Sequence, residues 1–148
     1  MSARTASCLC GSIKAAIQGD PFRTNLCHCS SCQKNTGGAF GSLAAYTAEK
    51  ITFTESEPSV MKTYEDTSPE SGRVLYRSFC GKCGSPVRLT RPGNDNIVVV
   101  PVGIIDGDKS AFKPQLEFFC RGKADWVGAI KDSQMFEAMP PAQPSQRS

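Results

Sequence analysis

The spacing of eight cysteines constrains this 148-residue chain more than any other feature of its sequence. They occur as Cys8 and Cys10 in C-x-C, Cys27, Cys29 and Cys32 in C-x-C-x-x-C, Cys80 and Cys83 in C-x-x-C, and Cys120 alone. The N-terminal "MSARTASCLCGS" has no apolar stretch of the kind found in secretory signals, so a cytoplasmic location is expected. Thiols stay reduced there, which favours metal binding or chemistry over disulfides.

The two cysteine pairs predict a closed metal site. A strand would direct Cys8 and Cys10 to one side, and a C-x-x-C turn would do the same for Cys80 and Cys83. A glycine follows each pair and permits a left-handed backbone. Brought together, the four thiols would hold one structural zinc ion. Two disulfides or four free core thiols are the alternatives, and zinc is favoured.

The triplet of Cys27, Cys29 and Cys32 has no obvious fourth ligand. Structural zinc sites use four protein ligands, whereas catalytic sites keep one position for water or substrate. The triplet therefore favours a second, catalytic zinc whose open position can take a substrate thiol. Two alternatives remain open: Cys120 could complete a second structural site, or the thiols could form a redox cluster.

Three further residues are given supporting roles. His28, inside "CHCSSC", would point away from the metal if the segment is extended, so a packing role is preferred to acid–base catalysis. Cys120 follows an apolar run and is expected to be a buried core thiol. The lone Trp126 is expected to anchor the core.

Charge and hydropathy exclude several classes of protein. The formal net charge is only +3, and no block of basic residues is present, so nucleic-acid binding is not expected. No apolar run has the length of a membrane span. The predicted partner is a small molecule.

Short apolar runs separated by turn residues predict a single, mainly β domain over residues 1–140, with a flexible tail at 141–148. Strands are expected within residues 12–17, 51–53, 60–64, 73–79, 96–105 and 116–120, and short helical turns within 30–36 and 133–138. Pro101 indicates an edge strand or a bulge.

Five segments together resemble the glutathione-dependent formaldehyde-activating enzyme family, which also contains centromere protein V. They are "CLCGSIKAAI", "CHCSSCQKNTGGAFGS", "RSFCGKCGSPV" and "VGIID" with "KADW". The resemblance runs from about Cys8 to Pro140 and implies a fold similar to the Mss4-like zinc-binding fold. It also implies a structural zinc at the two pairs and a catalytic zinc at the triplet.

The family's activity implies a carbon–sulfur lyase that joins glutathione, as co-substrate, to formaldehyde or cleaves a larger glutathione conjugate. The glycine-rich "NTGGAFGS" would let a ligand approach the backbone, unless it is a simple loop. Arg73, Arg77 and Lys82 are candidates for pairing with glutathione's carboxylates. The alternative function is a non-catalytic zinc-binding module that binds a partner protein.

Overall fold

The computed structural model describes residues 2–140, which form a mainly β structure. The predicted tail at 141–148 lies outside the described residues. The strands are β1 (Ala3–Ser7), β2 (Ile13–Gln18), β3 (Arg23–Cys27), β4 (Gly41–Thr47), β5 (Ile51–Glu55), β6 (Met61–Asp66), β7 (Leu75–Cys80), β8 (Pro86–Arg91), β9 (Asn94–Pro101), β10 (Leu116–Phe118) and β11 (Gln134–Met135). One α-helix, α1 (Ser30–Thr36), and four single-turn 3-10 helices at 48–50, 102–104, 110–112 and 120–122 accompany them.

The strands form two sheets. A small antiparallel sheet has the order β1-β2-β5, and a large sheet has the order β11-β10-β3-β4-β9-β8-β7-β6. In the large sheet β10 runs parallel to both β3 and β11, and the other pairs are antiparallel. The middle of the large sheet therefore consists of strands that come from distant parts of the chain.

The main core lies between the two sheets. Ile13, Ala15 and Ile17 alternate along β2 with exposed residues, as expected for a strand with one buried face. Ala44 and Tyr46 of β4 are fully buried and pack with Ala15 and Ile17 from the large sheet, together with valines of β9. Ile13 packs instead beside the paired cysteines. This packing uses one face of the large sheet.

The opposite face of the large sheet carries a different set of side chains. Successive residues of a strand point to opposite faces, so Arg23, Asn25 and Cys27 of β3 share the face turned away from the main core. Leu89 of β8 pairs with Val99 of β9 on the same side. This face is therefore free to line a cavity.

Several of the predicted elements are confirmed. The expected runs coincide with β2, β5, β6, β7, β9 and β10, and the helical turn predicted at 30–36 is α1. β1, β3, β4 and β8 were not predicted, because runs such as "RTNLC" and "GSLAAYT" lack a clear apolar alternation. None of the helices within residues 2–140 has the length and apolar character needed to cross a bilayer.

Two local predictions are wrong. Residues 133–138 contain the two-residue strand β11 rather than a helical turn, because Gln134 and Met135 pair with β10. Pro101 does not mark an edge, since β9 lies between β4 and β8. It is instead the last residue of β9, where its missing N–H costs the sheet least.

Candidate functional site

The two cysteine pairs meet at one side of the molecule. Cys80 ends β7 and Cys83 lies in the turn to β8, whereas Cys8 and Cys10 follow the end of β1. The sulfur of Cys10 is 3.6 Å from that of Cys8 and 3.7 Å from that of Cys80. The prediction of a strand at 8–10 is wrong: a turn closed by the Gly11 N–H and the Cys8 carbonyl brings the two thiols together.

These four sulfurs fit a zinc ion. A tetrahedral ion with Zn–S bonds of about 2.3 Å separates its sulfurs by about 3.8 Å, close to the distances found. Backbone N–H groups of Ile13 and Lys82 donate to the sulfurs of Cys8 and Cys80 at 3.3 and 3.4 Å. A hydrogen bond with Ser85 lowers the pKa of Cys83 to about 5. Burial raises the pKa of Cys80 to about 11. The hydrogen bonds to Cys8, Cys80 and Cys83 nevertheless favour their thiolates, the form that binds metal.

The glycines that follow the two cysteine pairs adopt the left-handed backbone that the sequence predicts. Gly11 and Gly84 have φ values of 78° and 77°, in the left-handed region that side chains with a Cβ seldom adopt. A substitution at either position would strain the turn that directs the preceding cysteines, even though the space around each is empty.

The triplet assembles where β3 meets α1. Cys27 is the last residue of β3, Cys29 caps the N-terminus of α1, and Cys32 lies in its first turn. The Cys32 N–H donates to the Cys29 sulfur at 3.3 Å. All three side chains are buried, and their sulfurs lie within 4.8 Å of one another. A helix N-terminus favours negative charge, so this junction suits thiolates.

Arg77 is the charged neighbour of the triplet. Its Nη1 lies 3.9 Å from the Cys32 sulfur, and its Nε donates to the Asp66 carboxylate at 2.8 Å. The pKa of Cys29 is lowered, mainly because the thiols of Cys27 and Cys32 form hydrogen bonds with its sulfur. The hydrogen bond from the Cys32 N–H and the charge of Arg77 lower it further. The three sulfurs share one donor set and can hold a zinc ion with one position left for another ligand.

His28 points away from the three sulfurs, as expected. Its ring is fully buried against Phe40, and Nε2 lies 3.1 Å from the carboxylate of Glu117. Lys123 donates to that carboxylate at 2.9 Å and Ser133 at 3.0 Å. These contacts hold the pKa of Glu117 below its usual range against the opposing effect of burial. The network ties the triplet's segment to β10 and to the chain that follows it.

Cys120 belongs to this network rather than to the triplet. It lies with His28 and Glu117 in a third group of potential ligands, and its thiol donates to the Glu117 carbonyl at 3.6 Å. The ammonium of Lys123 already pairs with Glu117 at 2.9 Å and offsets the negative charge that would attract a metal ion here. The alternative in which Cys120 completes the triplet therefore finds no support, and the thiol is half-buried rather than fully buried.

A cavity of about 450 Å³ opens beside the triplet, a size typical of small-ligand sites. All three triplet cysteines line it, and most of the remaining wall comes from the free face of the large sheet. Apolar side chains such as Leu43, Phe118 and Phe119 cover much of the wall. Four arginines also line it: Arg23, Arg73, Arg77 and Arg91. The cavity thus combines clustered thiols, apolar surface and positive charge.

The family model described as glutathione-dependent formaldehyde-activating enzyme matches residues 3–122. The chain belongs to this family. The fold of the family is Mss4-like, which confirms the predicted fold class. A crystal structure of a Rhodobacter sphaeroides protein is similar, with a TM-score of 0.55 and 18% identity over 72% of this chain and 91% of that chain. The search of curated proteins found no match.

Only some of the residues predicted to bind glutathione line the cavity of this family member. Arg73 and Arg77 line the cavity, but Lys82 lies outside it and pairs with Glu57 at 2.8 Å. None of the residues of "NTGGAFGS" lines the cavity. Gly41 of that segment instead packs beside Cys32, where an added Cβ would lie 3.4 Å from the cysteine Cβ.

The sequence does not predict the cavity positions of Arg23 and Arg91 or the exposed position of Trp126. Arg23 and Arg91 line the cavity, and Arg23 could have been found by counting back in steps of two from Cys27 along β3. Arg91 had no such signal, because strand pairing alone brings it there. The core role predicted for Trp126 is wrong, since 76% of its side chain is exposed.

Proposed function

We propose that this protein is a zinc-dependent carbon–sulfur lyase that forms or cleaves adducts of glutathione with formaldehyde or another aldehyde, or cleaves a larger glutathione conjugate. The observation that carries the proposal is the position of the triplet at the wall of a positively charged cavity. Three thiols and an adjoining ligand space match the ligand count of catalytic zinc sites, which have three protein ligands and one open position. Membership of a glutathione-dependent family supports the choice of thiol.

The two groups of cysteines have different roles in this proposal. Cys8, Cys10, Cys80 and Cys83 would hold a structural zinc ion, and Cys27, Cys29 and Cys32 a catalytic one. A zinc ion bound at the triplet would lower the pKa of a substrate thiol, so that the thiolate is available at neutral pH. A cytoplasmic location, where thiols are kept reduced, belongs to the same proposal.

The chemistry is an addition of a thiol to a carbonyl and its reverse. In the forward direction the glutathione sulfur bonds to the carbonyl carbon and the C=O π electrons move to oxygen. The proton lost by the thiol ends on that oxygen. In the reverse direction the C–S bond breaks, its electron pair returns to sulfur, and the hydroxyl proton is lost as the C=O bond re-forms.

Arg77 is placed to assist this addition. Its side chain is 6% exposed, and among residues 2–140 its Nη2 has no hydrogen-bond partner. The same residue lines the cavity next to Cys32. A guanidinium N–H there would donate to the carbonyl oxygen as negative charge develops on it. Asp66 holds the guanidinium in place, and Phe118 and Phe119 present apolar surface to the cavity beside the triplet.

NMR exchange spectroscopy on glutathione plus formaldehyde, with and without the zinc-loaded protein, tests the proposal. We expect faster interconversion of free and adducted glutathione with wild-type protein and the uncatalysed rate with Cys29→Ala. If formaldehyde exchange is unchanged, cleavage of glutathione conjugates with larger carbon fragments is measured next. Absence of Cys29-dependent turnover with every adduct and conjugate would contradict the lyase function.

A further inference from the structure

The cavity contains positive charge that the protein leaves unbalanced. Arg77 forms an ion pair with Asp66. Within residues 2–140 no carboxylate forms an ion pair with the other three cavity arginines, Arg23, Arg73 and Arg91. No aspartate or glutamate is among the described residues that line the cavity. Arg23 and Arg91 are partly buried, whereas Arg73 is exposed. Partly buried charge without a partner is costly, so Arg23 and Arg91 together favour an anionic ligand.

The three arginines lie close enough to affect one another. Burial and the charge of Arg91 lower the pKa of Arg23, and burial and the charge of Arg73 lower the pKa of Arg91. Arg23 is also held in place, with its guanidinium 5.6 Å from the ring centre of Phe118 and 6.0 Å from that of Phe22. A planar guanidinium fixed in this way offers a fork of N–H donors that matches a carboxylate.

Asn25 provides a second, independent sign of a ligand. It is 2% exposed, lines the cavity, and its Oδ1 accepts no hydrogen bond from the described residues. Buried amide oxygens are normally paired, so this one is suited to an N–H group supplied by a ligand. Asn25 lies on β3 between Arg23 and Cys27 and shares their face.

The face of β3 therefore presents three kinds of group in a row. Arg23 can pair with a carboxylate, Asn25 can accept from a peptide N–H or an ammonium, and Cys27 belongs to the thiol-binding triplet. The Cα atoms of Arg23 and Cys27 are separated by four residues, or about 13 Å along the strand. A peptide with its thiol at the triplet and one end extended along β3 would therefore point its terminal carboxylate towards the side chain of Arg23.

We propose that Arg23, Arg73 and Arg91, with Asn25, form a recognition site for the two carboxylates and the peptide N–H groups of a dicarboxylate thiol peptide. This inference rests on the proposed function and names the groups that select its thiol substrate. Glutathione has the required chemistry: a central thiol, peptide N–H groups and a carboxylate at each end. Small neutral thiols lack the carboxylates and are poor ligands for this site.

Calorimetric binding to the zinc-loaded protein tests the site without turnover. The probes are S-methylglutathione, an inert thioether with both carboxylates, and its diethyl ester, in which both are masked. We expect wild-type protein to bind the diacid at least about tenfold more tightly than the diester, because charge-assisted carboxylate contacts are lost on esterification. Raising NaCl from about 50 to about 500 mM should weaken binding of the diacid more than that of the diester.

Substitutions identify the arginines responsible. Arg23→Gln and Arg91→Gln should each weaken binding of the diacid by about tenfold and leave the diester unchanged. Arg88→Gln is the matched control, because Arg88 lies on β8 beside Leu89, does not line this cavity, and stacks on Phe53 at 5.4 Å. Equal binding of the two probes by wild-type protein, or an equal loss with Arg88→Gln, would overturn the inference.

The same samples separate this inference from the lyase function. If Cys29-dependent exchange persists while the preference for the diacid is absent, the recognition site is wrong and the lyase function stands. If the diacid preference follows Arg23 and Arg91 while no adduct or conjugate is turned over, the recognition site is correct and the lyase function is wrong.

Discussion

The four-cysteine group and the triplet use the same side chain in opposite surroundings. The four-cysteine group brings together its own complete set of sulfurs in two turns, and Cys10 in it is exposed. The triplet is buried, has one sulfur fewer, and faces a cavity lined by arginines. A metal site completed by the protein can stabilise the fold, whereas one that the protein leaves incomplete can bind a substrate.

Removing a sulfur from the four-cysteine group should have the largest effect. Cys80 is fully buried at the end of β7, and its site joins the ends of β1 and β7. Zinc binding at structural sites contributes about 10–16 kcal/mol, comparable with the whole stability of a domain. Cys80→Ser should therefore yield unfolded or insoluble protein, measured by circular dichroism and soluble yield. A folded variant that retained normal zinc content would refute the structural role.

Removing a sulfur from the triplet should abolish chemistry while the fold remains. Cys29→Ala should lower turnover of glutathione adducts to the uncatalysed rate, because the metal loses a ligand at the reaction site. Zinc analysis should fall from two ions per chain to one, and the thermal transition should remain cooperative. Cys120→Ala is the matched control, since this thiol lies outside both groups, and it should retain both ions and full turnover. Full turnover by Cys29→Ala would show that the triplet is not catalytic.

The division of the cysteines into a group of four and a triplet could be predicted from the sequence. It depends on the local spacing of the cysteines and on one long-range association, that of the Cys8–Cys10 pair with the Cys80–Cys83 pair. α1 could be predicted for the same reason, since Cys29 and Cys32 define its cap and first turn. The cavity could not be, because its arginines are separated by up to 68 positions (Arg23 to Arg91) and only strand order brings them together. Trp126 was misplaced because an isolated aromatic residue carries no periodic signal of burial.

The buried network behind the triplet should contribute stability rather than chemistry. Glu117→Gln preserves shape but leaves the ammonium of Lys123 with a neutral partner. Breaking a buried ion pair costs about 3–5 kcal/mol, so we expect a large fall in the free energy of unfolding measured with urea. Turnover per folded, zinc-loaded molecule should change much less than in Cys29→Ala. A loss of turnover without a loss of stability would instead implicate His28 and Glu117 in the chemistry.

The smallest effect is expected far from both groups of sulfurs, at Trp126. Its side chain is 76% exposed, so truncation removes little surface that folding withdraws from water. Trp126→Ala should change the free energy of unfolding by no more than about 0.5 kcal/mol, with zinc content and turnover unchanged. The same urea titration used for Glu117→Gln measures it. A cost of several kcal/mol would restore the core role predicted from the sequence, and would show that this aromatic side chain is covered in solution.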